Sequence, residues 1–336
     1  MLLGTAQPLY EAHDAALVDL DGVAYRGPHA IPSAPGAIQA AREAGMAMVF
    51  VTNNASREPG TVAAHLSDLG MPTREHEVLT AAQAVSLMVK DALPAGSAIY
   101  VVGGQGLRTA LTQVGMTLVD SAADNPVAVV QGFHPDVSWK ELAEASYAIR
   151  QGAQFFASNM DLTIPNDRGV APGNGSLVNV VITATGVTPP SAGKPAPEMF
   201  TLAARQAEAS RPMVIGDRLD TDLKGGRAAG FPGLLVLTGV NDGRDAVLAP
   251  ADQRPSYIGA DMRCLAHAHE APVGADGEWT SGDATARVVN GRLQVTGPWG
   301  LDRIRAACAA AWEFADAGGD LEVESLPDLG VSSDHD

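Results

Sequence analysis

Short, continuous apolar runs alternate along the chain with stretches of helical periodicity. An apolar run that begins at Ala15 ends in Asp19-Leu20-Asp21-Gly22-Val23, and a second run, residues 46–51, ends in Thr52-Asn53-Asn54. Apolar runs without polar alternation predict strands that are buried on both faces of a parallel sheet. The helical pattern between them, residues 35–44, predicts a βαβ unit, whose crossover is right-handed.

The same alternation recurs in two later parts of the chain. In the first of these, strands are predicted at residues 98–102, 127–130 and 155–157, and helices at 107–114, 139–150 and 175–184. In the second, helices at 197–209 and 220–229 alternate with strands at 212–215 and 233–237. The pattern predicts an α/β protein with a doubly wound parallel-sheet (Rossmann-like) core, residues 1–81 and 189–262, interrupted by an inserted α/β cap, residues 82–188.

The pattern changes in the last part of the chain. Two apolar segments, residues 284–289 and 293–295, flank Asn290-Gly291, which predicts a hairpin. An alanine-rich helix is predicted at residues 301–315, and the polar tail from Glu324 is expected to be frayed. Residues 263–336 are therefore predicted to form a small C-terminal α+β appendage.

The composition of the chain indicates which partners and which cellular compartment it fits. The formal net charge of −17 argues against nucleic acid or an anionic membrane as the main partner. Two cysteines are too few for a disulfide framework, which favours a reducing compartment. The first residues lack the basic and long apolar segments of a signal peptide, and no apolar run reaches the length of a membrane span. A cytoplasmic location is expected.

Asp19 and Asp21 form the first candidate site. Residues two apart in a strand share a face, so the two carboxylates would converge at the strand end, where open α/β sheets bind ligands. Two crowded carboxylates repel each other unless a cation lies between them or one holds a proton. The pair therefore indicates a divalent metal, a shared proton, or both. Taken alone, the segment is also compatible with a turn or part of a calcium loop.

Three further polar groups follow predicted strands or precede predicted helices. Thr52 and Asn53 end the second strand, Lys194 lies in a loop, and Asp217 and Asp222 follow the strand at 212–215. Each group alone has a structural explanation, as a helix cap, a solvated lysine or a favourable charge at a helix start. Together they predict one polar site at the carboxyl edge of the sheet.

The glycine-rich segment Gly103-Gly104-Gln105-Gly106 also follows a predicted strand. Its glycine spacing does not fit the dinucleotide-binding fingerprint. We therefore predict a tight turn in the cap and no nucleotide site.

These motifs resemble the haloacid dehalogenase superfamily of phosphohydrolases, in the class IIA branch with a large cap between the second and third motifs. The resemblance covers about residues 15–259 and rests on four motifs and a cap segment: Asp19-Leu20-Asp21-Gly22-Val23, Val51-Thr52-Asn53-Asn54, Gly193-Lys194-Pro195, Gly216-Asp217-Arg218-Leu219-Asp220-Thr221-Asp222, and Ser158-Asn159-Met160-Asp161-Leu162-Thr163-Ile164-Pro165. Residues 263–336 resemble part of an acetyltransferase but lack a glycine-rich acyl-CoA loop, so a non-catalytic role is expected.

The resemblance implies a magnesium-dependent phosphatase. Mg²⁺ would be bound by Asp19, the main-chain carbonyl of Asp21 and Asp217, a set of oxygen ligands that suits a hard cation. Asp19 would attack phosphorus to form an aspartyl phosphate. Asp21 would protonate the departing alkoxide and later take a proton from the attacking water.

The remaining motif residues are implied to bind or orient the substrate. Thr52, the main-chain amide of Asn53 and Lys194 would contact the phosphate. Asp222 would orient Lys194 or the water around the metal.

The cap is expected to close over the site and to recognise the leaving group of the substrate. Asn159 and Asp161 are its candidate substrate-facing residues; the alternative is that they cap their own loop.

The likeness is strongest to the glycerol 3-phosphate phosphatases of actinobacteria, so the expected partner is a small-molecule phosphate ester, glycerol 3-phosphate. Phosphoglycolate, pyridoxal phosphate, and sugar or nucleotide monophosphates are alternative substrates. A phosphotransferase shares every motif, and a phospho-receiver domain also clusters carboxylates, a threonine and a lysine around magnesium. A homodimer formed through the cap is also expected.

Overall fold

The computed structural model describes residues 1–166 and 168–330 of the chain. The chain divides into two compact units. The first unit comprises Met1–Val49 and Ala207–Asp336, and the second comprises Phe50–Gln206. The domain boundaries predicted from the sequence, residues 82–188 for the cap and 263–336 for the appendage, stay predictions.

The strands, in chain order, are β1 (Ala15–Val18), β2 (Tyr25–Arg26), β3 (His29–Ala30), β4 (Ala47–Thr52), β5 (Val78–Thr80), β6 (Ala98–Val102), β7 (Thr117–Val119), β8 (Ala128–Gln131), β9 (Gln154–Ala157), β10 (Thr163–Asn166), β11 (Gly169–Pro172), β12 (Pro212–Gly216), β13 (Gly233–Val236), β14 (Tyr257–Gly259), β15 (Val273–Ala275), β16 (Glu278–Ser281), β17 (Ala284–Val289) and β18 (Arg292–Thr296).

The helices are α1 (Leu9–Ala12), α2 (Ala34–Glu43), α3 (Pro59–Asp68), α4 (Ala81–Ala92), α5 (Gln105–Gln113), α6 (Trp139–Arg150), α7 (Asn174–Thr185), α8 (Pro197–Gln206), α9 (Lys224–Ala228), α10 (Gly243–Val247) and α11 (Leu301–Asp316). Among the described residues, no helix has both the length and the apolar character needed to span a bilayer.

The first unit is built on a parallel sheet. Its strands lie in the order β14-β13-β12-β1, followed by β4, which belongs to this unit through residues 47–49. β1 and β12 pair from Ala15 opposite Pro212 to Val18 opposite Ile215. Every residue of β1, β12, β13 and β14 is buried, as expected of strands covered on both faces. The predicted α/β class with parallel sheets is confirmed.

The C-terminal segment adds an antiparallel sheet, β15-β16-β17-β18, with α11 packed on it. Asn290 and Gly291 have φ angles of 51° and 77°, as a two-residue hairpin turn requires, so the predicted hairpin is confirmed. Trp312 of α11 and Leu235 of the parallel sheet belong to one buried apolar cluster. The segment therefore completes the core of the first unit.

The predicted frayed tail is wrong for part of its length. Residues Val323–Ser325 form a 3₁₀ turn, and Leu329 is buried in the same apolar cluster as Trp312. An apolar side chain that reaches a core holds its segment in place. The last residues of the predicted tail, 331–336, lie outside the described part of the chain.

The second unit contains a parallel sheet in the order β7-β6-β8-β9, with α6 and α7 packed against each other. Residues 50–52 of β4 pair with β5, Phe50 opposite Val78 and Thr52 opposite Thr80. The sequence pattern left β5 and α4 unassigned. β5 has only three residues, and α4 starts at a capping box between Thr80 and Gln83. The antiparallel strands β10 and β11 pair with each other and also belong to this unit.

Candidate active site

Asp19 and Asp217 leave neighbouring strands at the same edge of the sheet in the first unit. Asp19 directly follows β1, and its main-chain amide donates to the carbonyl of Ile215 at 2.9 Å. Asp217 directly follows β12. Because β1 and β12 are parallel and in register, their ends bring the two carboxylates together.

Asp222 completes a cluster of three carboxylates. One ligand oxygen each of Asp19, Asp217 and Asp222 lies within 4.8 Å of the others. Asp217 and Asp222 are 1% and 0% exposed. Like charges held this close in a buried place repel each other unless a cation lies between them or one holds a proton. Carboxylate oxygens are the ligands that hard divalent cations prefer. The donor set therefore fits Mg²⁺, the cofactor that the resemblance implied, although the predicted ligands were Asp19, Asp217 and the Asp21 carbonyl without Asp222.

The walls of this cluster are shaped around Asp217. Its Oδ2 accepts a hydrogen bond from the main-chain amide of Val240 at 2.7 Å. A Cβ added to Gly22 or Gly239 would overlap the Asp217 carboxylate. The two glycines let the backbone approach the carboxylate closely, and Gly22, with φ of 83°, also makes the turn after β1.

Asp222 is placed by a local irregularity in the chain. Residues Leu219–Leu223 form a π-helical turn, and the Asp222 main-chain amide donates to the carbonyl of Arg218 at 3.1 Å. A Cβ on Gly216 would overlap the Asp222 side chain. Single π-helical turns are frequent at functional sites. The π-helical turn places Asp222 in the carboxylate cluster. Its role in orienting Lys194 or the water around the metal stays a prediction.

The side chain of Asp21 does not belong to the three-carboxylate cluster. Asp21 is exposed and forms an isolated bridge with Tyr25, whose carbonyl accepts from the amide of Gly22 at 2.8 Å. An exposed carboxylate next to the cluster residues can exchange protons with solvent. Its role as acid and base, and that of its carbonyl as a metal ligand, stay predictions.

The other predicted site residues lie in the second unit, where Asn53 connects them. The Asn53 Nδ2 donates to Asp161 Oδ2 at 2.9 Å and to the Lys194 carbonyl at 3.1 Å. The Lys194 amide donates to Asn53 Oδ1 at 2.8 Å. The carbonyl of Asn53 accepts from Asn159 Nδ2 at 2.7 Å. The structure therefore brings the second motif, the third motif and the cap segment together.

Thr52 ends β4 and is buried, and its Oγ1 accepts from the main-chain amide of Asn54 at 3.1 Å. This contact is a turn within the loop after β4 and not the helix cap that the sequence offered as an alternative, because α3 begins only at Pro59. The hydroxyl hydrogen of Thr52 is a donor that this contact does not use. Its role toward phosphate stays a prediction.

The cap segment shows contacts that the sequence analysis only partly anticipated. Asn159 Oδ1 accepts from the amide of Asp161 at 3.2 Å, which is the predicted alternative of a loop capped by its own side chain. Asn174, to which no role was assigned, donates from Nδ2 to the Asn159 carbonyl at 2.7 Å and is 1% exposed. Its signal was its position in Gly173-Asn174-Gly175, the glycine-flanked segment that follows the cap motif and precedes α7. Contact of Asn159 and Asp161 with substrate stays a prediction.

Comparison with known proteins supports the resemblance of the motifs. Residues 16–117 match the family model of haloacid dehalogenase-like hydrolases, and residues 191–265 match the HAD-hydrolase-like model. The two segments contain all four motifs.

The chain is similar to several phosphatases over most of its length. It is 41% identical to the D-glycerol 3-phosphate phosphatase of Mycobacterium tuberculosis, over 90% of this chain and 87% of that protein. It is 35% identical to the acid sugar phosphatase of Staphylococcus haemolyticus, over 73% of this chain and 92% of that protein. The crystal structure of glycerol phosphate phosphatase from M. tuberculosis in complex with magnesium matches with a TM-score of 0.84 and 39% identity, covering 92% of this chain and 93% of that one.

Proposed function

This chain belongs to the haloacid dehalogenase-like hydrolases and is a phosphoric monoester hydrolase, and we propose that its substrate is glycerol 3-phosphate. The observation that carries the chemistry is the buried cluster of Asp19, Asp217 and Asp222 at the strand ends. The choice of substrate is supported by the similarity over 90% of the chain to a D-glycerol 3-phosphate phosphatase.

The first unit supplies the nucleophile and the metal ligands. Asp19, Asp217 and the carbonyl of Asp21 would hold Mg²⁺, with Asp222 beside them. When bound, the metal offsets the negative charge of the phosphate ester. The Asp19 carboxylate then forms a bond to phosphorus as the bond from phosphorus to the glycerol oxygen breaks. Asp21 donates its proton to the departing alkoxide.

The second half of the reaction regenerates the enzyme. Asp21, now ionised, takes a proton from a water molecule, whose oxygen attacks the phosphorus of the aspartyl phosphate. The bond between Asp19 and phosphorus breaks, and inorganic phosphate leaves. Thr52, the Asn53 amide and Lys194 donate hydrogen bonds to the phosphate oxygens, and the Lys194 ammonium adds a positive charge.

A panel of phosphomonoesters tests the substrate. With Mg²⁺ present, we expect a higher kcat/KM for glycerol 3-phosphate than for the phosphates of glycolate, pyridoxal, sugars and nucleosides. A higher kcat/KM for another ester would replace the proposed substrate. Added alcohol acceptors, with the products analysed, would reveal phosphoryl transfer in place of hydrolysis.

Asp19→Asn tests the nucleophile, because the amide keeps the shape of the side chain but cannot attack phosphorus. Phosphate release should fall by at least about a thousandfold with the fold intact. Rapid quenching of the wild type should give a phosphorylated Asp19 peptide. Asp220→Asn is the matched control, since Asp220 is an exposed acid of the fourth motif that pairs with Arg218. Equal activity of the two variants would contradict the mechanism.

The expected homodimer through the cap and the cytoplasmic location stay predictions.

A further inference from the structure

The carboxamide of Asn53 is bonded to two segments that lie far from it in the sequence. Its Oδ1 accepts from the Lys194 amide, and its Nδ2 donates to the Lys194 carbonyl, at 2.8 and 3.1 Å. The same Nδ2 donates to Asp161 Oδ2 at 2.9 Å. Both the oxygen and the nitrogen of the carboxamide are thus hydrogen-bonded to the main chain of Lys194, and the nitrogen is also bonded to the cap segment.

This arrangement is tightly packed and partly shielded from water. Lys194 and Asn159 are 5% and 4% exposed, and Asn53 and Asp161 are half-buried. A Cβ on Gly193 would lie 2.7 Å from Asn53 Oδ1 and 2.6 Å from the Ser158 carbonyl, so the glycine is needed for the close approach. Hydrogen bonds in a packed, partly shielded place fix geometry more firmly than fully exposed ones, because water replaces them less readily.

We propose that Asn53 is a positioning residue that ties Lys194 and the cap segment Asn159–Asp161 into one arrangement. The proposal rests on the proposed function, in which Lys194 contacts the phosphate and the cap contacts the rest of the substrate. Through Asn53, the position of the phosphate-binding lysine depends on the position of the cap segment. The side chain acts on the reaction through Lys194 and does not itself touch the reacting atoms.

Only a carboxamide satisfies all of these partners. The Lys194 amide needs an acceptor, whereas the Lys194 carbonyl and the Asp161 carboxylate need a donor. Asn53→Asp keeps the acceptor, loses the donor and places two carboxylates in contact, which repel each other. Adding Asp161→Asn to the same chain restores a hydrogen bond at that contact. The donor is then at position 161 and the acceptor at position 53. The pair therefore allows a test by exchange of donor and acceptor.

The experiment measures kcat and KM for glycerol 3-phosphate and p-nitrophenyl phosphate in four proteins: wild type, Asn53→Asp, Asp161→Asn and the double variant. We expect Asn53→Asp to lower kcat/KM by about a hundredfold and the double variant to recover about tenfold of that loss. A purely structural role would lower the melting temperature but leave kcat of the folded protein unchanged. Asn54→Asp is the matched control, because it adds the same charge one residue away and keeps the acceptor for the Ser56 amide.

Two results would overturn the proposal. One is a folded Asn53→Asp protein with wild-type kcat/KM, and the other is a double variant no more active than Asn53→Asp. If Asn53→Asp does not fold, Asp161→Ala and Asp161→Asn replace it. Alanine removes the acceptor and asparagine keeps an acceptor oxygen, so the alanine variant should have the lower kcat/KM of the two. Equal activity of these two would also overturn it.

Failure of the proposed function can be recognised separately. A wild type that releases no phosphate from any ester overturns the function. Melting temperatures can be measured without substrate and still report the energy of the contact between residues 53 and 161. Non-additive changes at positions 53 and 161 would support the tie between the two segments, and additive changes would overturn it.

Discussion

The Asp217 carboxylate lies so close to the backbone of Gly239 that a Cβ at residue 239 would overlap its Oδ2. The same oxygen accepts the hydrogen bond from the amide of Val240 at 2.7 Å. The segment after β13 therefore fixes the position of a carboxylate that follows β12.

Gly239→Ala is expected to displace the Asp217 carboxylate and lower kcat/KM by about a hundredfold, because small displacements of reacting groups cost this much. Steady-state phosphate release measures the effect. Gly36→Ala is the matched control: apart from its chain neighbours and the backbone of α2 itself, no atom lies within 4 Å of the added methyl group, so activity should stay unchanged. A fully active Gly239→Ala enzyme would contradict the packing described for Asp217.

Mg²⁺ is expected to raise the melting temperature, and chelation should lower it. The ion binds the folded cluster of carboxylates and relieves their repulsion, and a ligand at a hundred times its Kd stabilises by about 2.7 kcal/mol. Thermal melts with Mg²⁺ and with EDTA measure the change. In Asp217→Asn the shift should be much smaller, whereas Asp220→Asn should keep it. A full shift in Asp217→Asn would place the ion elsewhere.

His269 makes stability depend on pH. Burial, together with the nearby Arg305 guanidinium, holds the pKa of His269 below its ordinary value of 6.5. Its Nε2 lies 3.2 Å from the Cys264 carbonyl, and its Nδ1 lies 3.4 Å from Arg305. Burial likewise lowers the pKa of His13, which meets Tyr257 edge to face, as His269 does.

A histidine with a lowered folded-state pKa binds fewer protons in the folded state than in the unfolded state. The full stability is therefore present above pH 6.5 and is lost as the pH falls below it, by at most about 1.4 kcal/mol per pH unit for each such histidine. Urea unfolding at pH 7.5, 6.5 and 5.5 should show this loss. His269→Gln should reduce the slope, and the addition of His13→Gln should reduce it further. Identical slopes in all three proteins would exclude the assignment.

Trp312 anchors the C-terminal segment. It is 1% exposed, its Nε1 donates to the Ala246 carbonyl at 3.1 Å, and the Arg254 guanidinium lies 5.3 Å from the ring centroid. Trp312→Ala should lower the free energy of unfolding by about 3–5 kcal/mol, as removal of a large buried side chain does. Urea denaturation measures this.

Activity separates a structural role of this segment from a catalytic one. The folded Trp312→Ala protein should keep its kcat. Trp299→Ala is the control, because Trp299 is 52% exposed and its removal should change stability by less than about 1 kcal/mol. Equal destabilisation by both variants would contradict the packing of α11, and a lost kcat in folded protein would give the segment a direct part in the reaction.

Much of the fold and part of the site could be predicted from local patterns. The apolar runs that became β1 and β12 are recognisable because strands buried on both faces need uninterrupted apolar residues. Asp19 and Asp217 were predicted at the ends of those strands, and the parallel pairing brings them together. The hairpin at Asn290-Gly291 was equally predictable, because its turn is specified by those two residues.

The glycine-rich segment after β6 shows what local patterns leave undetermined. It was predicted as a tight turn, and Gly103 and Gly104 alone connect β6 to α5, but Gly104 has an ordinary φ of −75°. A Cβ on Gly104 would lie 3.1 Å from Ser56, and one on Gly106 would lie 2.5 Å from the Arg57 carbonyl oxygen. The glycines are needed because two segments approach each other closely. A partner distant in the sequence leaves no trace in the local pattern.

The sequence by itself determined which residues are candidates for the chemistry and that Asp19, Thr52 and Asp217 stand at strand ends, because strand and turn preferences act between near neighbours. Only the tertiary structure decided that Asp222 joins the carboxylate cluster, that Gly239 closes around Asp217, and that Asn53 holds both Lys194 and Asp161. The physical reason is that hydrogen bonds and close packing between distant segments depend on distances that the chain acquires only when it folds.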